Sequence, residues 1–211
     1  MYQFNDFLVN INSNFLIEKK YSNRKRSEFV SVVNELDVKL NAIRFLDIGP
    51  GYGDSLDVCH ENEASCIEFV ENDPFYFTYN RLKKYTNGFQ IDHLFWLNKL
   101  YPMKYDLIWI KGSIIADHFI CNDILGIKIH FLSHWLTQIE RLASEKCKIV
   151  LCPYWLHNQN KREIENIYNN QFSKTLLSKG YVILSNIKDH NNDLFYPITY
   201  LKDMSLTSYK R

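Results

Sequence analysis

Phe45-Leu46-Asp47-Ile48-Gly49-Pro50-Gly51-Tyr52-Gly53-Asp54 is the stretch on which the fold turns. Together with Ile43 and Arg44 it begins as a short apolar run that stops at glycines, the pattern of a strand buried in a parallel sheet. Three glycines at alternate positions then let the backbone turn sharply and approach a ligand closely. The spacing is GxGxG, with an acid two residues before the first glycine, and not the GxGxxG of a dinucleotide loop.

Working outward, short apolar runs alternate with helical patterns. Residues 54–61 suit a helix, 65–70 a second strand and 74–85 a second helix, with Pro74 in its first turn, where a missing N–H costs nothing. Residues 88–94, 105–110 and 148–152 read as three further strands. A long helix over about 124–143 carries Leu132, Trp135, Leu136, Ile139 and Leu142 on one face. A helix over 161–178 stops at Gly180, a C′ residue. Residues 181–187 and 196–204 are the last two strand candidates, joined by a polar segment as a hairpin with an antiparallel strand at one edge. Such alternation predicts an α/β fold: a Rossmann-like, seven-stranded, mostly parallel sheet with helices on both faces and an antiparallel C-terminal strand. Residues 1–40 look helical, with stripes at Phe7, Leu8, Ile11, Phe15 and Leu16 and again at Phe29, Val32, Val33 and Leu36. They are expected to form an N-terminal cap or lid over a domain of residues 41–211. The basic stretch 19–26 between the stripes reads as a solvated turn or as an acid-binding segment.

The glycine-rich stretch resembles the first motif of the class I S-adenosylmethionine-dependent methyltransferases. The resemblance spans roughly residues 43–155. It implies that Gly49, Pro50, Gly51, Tyr52 and Gly53 pack beneath the methionine part of S-adenosyl-L-methionine. It also implies that Asp47 interacts with the cofactor's amino acid end, where opposite charge suits an ammonium. The family places an acid at the end of the second strand to accept hydrogen bonds from both ribose hydroxyls, a task for a carboxylate's two oxygens. Glu71 matches, 18 residues beyond Gly53 and followed by Asn72, Asp73 and Pro74. Glu68 is the rival, lying mid-strand. Asp92, 21 residues after Glu71, matches the residue that contacts adenine, with His93 beside it; a surface-turn aspartate is the other reading. Tyr105-Asp106 resembles the aromatic-acid pair opening the family's fourth strand.

Methyl transfer from a sulfonium is carried by the cofactor, so the protein chiefly positions the acceptor. A base is needed where the accepting atom holds a proton. Asp117-His118, past the fourth strand, reads as an orienting acid and a general base, or as a capping aspartate beside a surface histidine. Lys111 reads as a cofactor- or acceptor-binding cation or as a solvated strand end. Pro153-Tyr154-Trp155 followed by His157-Asn158-Gln159-Asn160 combines aromatic faces with amides, which suits a sugar or another polar small molecule. The family's planar-nitrogen signature, [DN]PP[YF], is absent. His130 and His134 stand i, i+4 without the acid of HExxH, so no metal is expected.

The 211 residues carry a formal charge of +1 and 46% apolar residues. That affords a full core and no electrostatic footprint for nucleic acid or an anionic membrane. Five cysteines without a CxxC pair read as core residues of a reducing compartment. No secretory leader is expected from the first residues, and no apolar run approaches the roughly 18 residues of a membrane span. The expectation is a cytoplasmic enzyme whose partner is a small-molecule acceptor, an oxygen of a sugar or glycan precursor being the simplest; natural-product or RNA methylation and cofactor binding without turnover are the rivals. Oligomeric state is not legible.

Overall fold

The computed structural model describes residues 26–82, 85, 87–92, 104–115, 127–154, 170–184 and 199–206. Among these residues seven strands form one sheet: β1 (Arg44–Ile48), β2 (Cys66–Val70), β3 (Gly88–Phe89), β4 (Tyr105–Ile115), β5 (Ala143–Tyr154), β6 (Val182–Ile183) and β7 (Tyr200–Asp203). Their order is β3-β2-β1-β4-β5-β7-β6. The five strands from β3 to β5 are parallel, and β7 is antiparallel to both β5 and β6. The expected hairpin forms, and its antiparallel member inserts between β5 and β6, leaving two-residue β6 at the edge.

Among the described residues the α-helices are α1 (26–35), α2 (Asp54–Glu61), α3 (Pro74–Leu82), α4 (Ile127–Leu142) and α5 (Gln171–Ser178). They cover both faces because the central strands are apolar on both. Leu46, Ile48, Ile108, Ile110, Ile149 and Leu151 pack with the predicted stripe of α4 and with Phe172 and Leu176 of α5. Phe45, Leu107, Trp109, Val150 and Cys152 point the other way, onto α1 and α2. Period-two alternation in strands buried on both sides requires this division.

Residues 26–40, expected to belong to a lid, lie within the second of these cores as far as α1 is concerned. Phe29 meets the rings of Phe45 and Trp109 edge-on, at centroid separations of 5.6 and 5.0 Å. The stripe in residues 7–16, the basic turn up to residue 25 and the first half of the helix read at 161–178 lie outside the described residues. Its described part, α5, is capped by Asn170, whose side chain accepts from Ser173 N at 2.8 Å, and ends at Gly180 with φ +84°.

β4 and β5 are longer than their apolar runs. β5 starts directly after α4, and Ala143 pairs with Tyr105 across an irregularity in register. Ser144 then donates to Asp106 at 2.9 Å, and the Arg44 backbone N–H donates to the same carboxylate at 3.0 Å. Burial works against the charged form of Asp106, but these donors hold its pKa below the usual carboxylate value. Tyr105 donates to the buried carboxyl of Glu68. The Tyr105-Asp106 pair thus stands at the opposite end of the sheet from the glycine turn and ties strands together. Three of the described cysteines, Cys59, Cys147 and Cys152, are buried and none is in a disulfide. Burial pushes the Cys152 thiol up to about 12, which leaves it no thiolate character.

Leu136 is fully buried in the α4 layer. Leu136→Ala is expected to lower stability by about 2–5 kcal/mol, since a cavity is left behind. Denaturant unfolding followed by circular dichroism measures this; a loss below about 1 kcal/mol would place α4 off the sheet.

Candidate active site

After β3 the chain crosses β1 to lay down β4 on its far side. Strand order therefore reverses between β1 and β4, and open α/β sheets bind ligands at the carboxyl end of such a junction. A cleft opens there, with about 460 Å³ of space reaching solvent. Asp47, Gly49, Pro50 and Gly51 form one side, Asp54 and Ser55 of α2 another. Phe29, Trp109 and Lys111 close it from α1 and β4.

The turn that shapes the cleft runs through Gly49, Gly51 and Gly53 with φ of +76°, +56° and +76°. Gly49 N donates to Val70 O at 2.8 Å, so the turn begins in register with β2. A Cβ built on Gly51 meets no atom within 4 Å. Because Gly51 lines the cleft, that open side is space in which a ligand would lie against bare backbone.

Glu71 emerges at the end of β2, nearly buried. Its Oε2 accepts from Gly51 N at 3.3 Å and its Oε1 from Asp73 N at 3.0 Å. Burial raises the Glu71 pKa, while the amides of Asp73, Gly51 and Asn72 pull it down. Glu68, by contrast, faces Tyr105 inside the sheet. Asp73 caps α3 by accepting from Phe75 N at 2.8 Å, which fixes where the chain turns away from Glu71.

Asp47 is buried at the floor, and Ser55 of α2 donates to its Oδ2. Lys111, at the cleft end of β4, is ion-paired with Glu28 of α1; their side chains are 15% and 8% exposed. A pair this buried is held by geometry more than by net stability, and here it holds an ammonium in the cleft that Asp47 and Asp54 also line. Phe29, Asp54, Ser55 and Trp109 are cleft residues that the sequence reading missed, as it missed Glu28, the partner of Lys111. Asp54 and Ser55 follow the last glycine directly and were within reach of it. Glu28 and Phe29 come from a helix whose stripe predicts burial but not what it is buried against.

The remaining candidates divide. Tyr52 does not line the cleft: its ring packs edge-on against Tyr76 and Tyr79 of α3, at 5.0 and 5.6 Å. The correction has a simple cause, since between glycines of positive φ the side chain of Tyr52 is turned away from the cleft toward α3. Asn72 is exposed and Asp92 half-buried just beyond β3, and neither lines the cleft. His93, Asp117, His118 and residues 155–160 lie outside the described residues. His130 and His134 are both exposed on α4. Among the described residues no three His, Cys, Asp or Glu side chains are grouped to hold a metal, and no helix is long and apolar enough to cross a membrane.

No protein-family model matches the sequence, and no curated protein sequence matches it. Solved structures do match in fold. An S-adenosylmethionine-dependent methyltransferase from Archaeoglobus fulgidus superposes with a TM-score of 0.52 over 89% of this chain and 97% of its own, at 17% identity. The plantazolicin methyltransferase bound to S-adenosylhomocysteine gives 0.52 over 92% and 89%, also at 17% identity. The ribosomal protein L11 methylase of Lactobacillus delbrueckii subsp. bulgaricus gives 0.52 over 83% and 77%, at 14% identity. The fold of this chain is therefore the Rossmann-like fold of the S-adenosylmethionine-dependent methyltransferases.

The raised pKa of Glu71 has a measurable sign. A carboxyl that binds its proton more tightly folded than unfolded favours the folded state at low pH. That contribution is lost as pH rises from the ordinary carboxylate value through the raised one. Relative to Glu71→Gln, the wild-type chain is expected to lose unfolding free energy across this window and to run parallel above it. Denaturant titrations at a series of pH values check this; curves parallel throughout would show a Glu71 that is not desolvated.

Proposed function

We propose that this chain is an S-adenosylmethionine-dependent methyltransferase acting on a small polar acceptor, most simply an oxygen of a sugar or glycan precursor. The observation that carries the reading is the hydrogen bond from the Gly51 amide to Glu71, which sets that carboxyl beside a cleft that Gly51 lines and whose walls hold both charge signs. The bare side of Gly51 suits close approach of a ligand. Asp47 and Asp54 suit an ammonium and Lys111 a carboxylate, so the walls match the zwitterion of an amino acid. Glu71 brings two acceptor oxygens for a ribose diol. Asn72, Asp92 and His93 would border the base, Pro50 would line the methionine part's side of the cleft, and Gly53 and Tyr52 would shape the turn from behind. The cofactor would supply a methyl group activated on a sulfonium.

The structural neighbours support methyl transfer without choosing the acceptor. By name they act on a ribosomal protein, on magnesium protoporphyrin IX and on plantazolicin. The sugar reading rests on the sequence. Asp117 and His118 follow the end of β4 by two and three residues, where an orienting acid and a general base would serve a hydroxyl acceptor. The aromatic-then-amide segment after Pro153 suits a sugar face. A net charge of +1 speaks against an RNA acceptor. Residues 1–40 would contribute the cleft's cover, through Phe29 among the residues described, and the site of action would be the cytoplasm.

Calorimetry with S-adenosylhomocysteine tests the cofactor part. Wild-type protein is expected to bind, and Glu71→Ala to bind about 1–3 kcal/mol more weakly, the worth of charge-assisted hydrogen bonds. Equal affinity in the two proteins would remove Glu71 from the ribose. Methyl release offered nucleotide sugars or RNA in separate reactions tests the acceptor; turnover with RNA alone would displace the sugar.

A further inference from the structure

Asn80 is a polar residue on α3 that the sequence pattern gives no reason to bury, yet it is fully buried. Its Nδ2 donates to Gly51 O at 2.7 Å and to Tyr76 O at 2.9 Å. Both acceptors are carbonyls, so the carboxamide can be seated only this way round. Its Oδ1 has no hydrogen-bond partner and lies against Gly53, where an added Cβ would collide with it. Burying an unpaired carbonyl is costly, and nothing in the packing of α3 demands an amide there. The donor end accounts for the residue.

Two peptide units meet at Gly51. The Pro50–Gly51 unit is held through its N–H by Glu71, and the Gly51–Tyr52 unit through its carbonyl by Asn80. Both backbone torsions of the most permissive residue in the turn are thereby fixed from outside the turn. A glycine released on one side would rotate freely, and ligand binding would then have to order it.

We propose that Asn80 is a positioning residue for the cofactor turn: without touching the ligand, it sets the orientation of the Gly51 carbonyl and so the affinity of the cleft for the nucleoside amino acid. The small residue at Gly53 is the steric counterpart that lets α3 come close enough. The proposal rests on the S-adenosylmethionine reading above.

Asn80→Asp keeps the shape and removes both donors while ionised. Between two carbonyls its neutral form is favoured, because only the protonated acid donates, so its pKa is raised. Affinity for S-adenosylhomocysteine is measured by calorimetry for wild type, Asn80→Asp, Asn80→Ala and Leu136→Ala, with folding verified by circular dichroism at each pH. At about pH 8 Asn80→Asp is expected to bind about tenfold more weakly than wild type, and Asn80→Ala similarly. Towards about pH 5.5 the deficit of Asn80→Asp relative to wild type should shrink to about threefold, while that of Asn80→Ala stays constant. Leu136→Ala, destabilised elsewhere, should bind as wild type does, which separates loop positioning from general loss of stability.

Wild-type affinity in Asn80→Ala, or a deficit in Asn80→Asp that does not change with pH, overturns the proposal. If Asn80→Asp does not fold, Asn80→Ala against Leu136→Ala decides: equal losses overturn it and a loss confined to Asn80→Ala supports it. Failure of the wild-type protein to bind S-adenosylhomocysteine would be a different result, overturning the cofactor reading and the proposal with it.

Discussion

The chain must leave β1 while that strand is still paired on both sides, with β2 and with β4. A strand flanked by two parallel neighbours has nowhere to go in the plane of the sheet, so the backbone has to rise sharply from its end. Positive φ at Gly49, Gly51 and Gly53 provides that rise. The rest of the site follows from it: α2 starts directly after Gly53 and brings Asp54 and Ser55 to the cleft, while β2 ends level with the turn and presents Glu71 to it. Because β4 is the neighbour on the other side, its own end contributes Trp109 and Lys111. Strand order and glycine spacing together make the opening and choose its walls.

Rigidity around this opening comes from groups outside the turn. Glu71 and Asn80 hold Gly51, Ser55 holds Asp47, and Glu28 holds Lys111. Three of these pairs join elements 20 to 83 residues apart, and all four are at least partly buried, where a satisfied polar contact restricts geometry more strongly than it adds stability. The cleft sets polar groups beside the rings of Phe29 and Trp109, and those groups are already oriented before any ligand arrives, which is the condition for binding without a large ordering cost.

Much of this was legible in the residues. The bounds of α2 and the first strand could be read because the glycines mark the strand's end and because Asp54 starts a run with helical periodicity. Glu71 could be chosen over Glu68 because it stands at the end of the strand, three residues before Pro74, whereas Glu68 lies mid-strand and meets Tyr105 of the same sheet. What could not be read is what depends on contacts across the fold. The polar segment Ser144-Glu145-Lys146 looks like a loop, yet it extends β5, since Ala143 and Ser144 find partners in Tyr105 and Asp106. Tyr52 looks like a loop residue facing a ligand, and the turn's geometry sends it to α3 instead. Asn80 and Glu28 look like solvent-facing positions of their helices; only the close passage of the glycine turn and of Lys111 gives them a reason to be inside.

The central claim is that Glu71 and the glycine turn form the two sides of one nucleoside site. A crystal structure of the protein with S-adenosylhomocysteine tests it most directly. The account predicts both ribose hydroxyls within hydrogen-bonding distance of the Glu71 carboxylate, with the methionine part lying along Gly51 and its charged groups toward Asp47 and Lys111. A nucleoside bound elsewhere on the sheet, or a ribose turned away from Glu71, would contradict it.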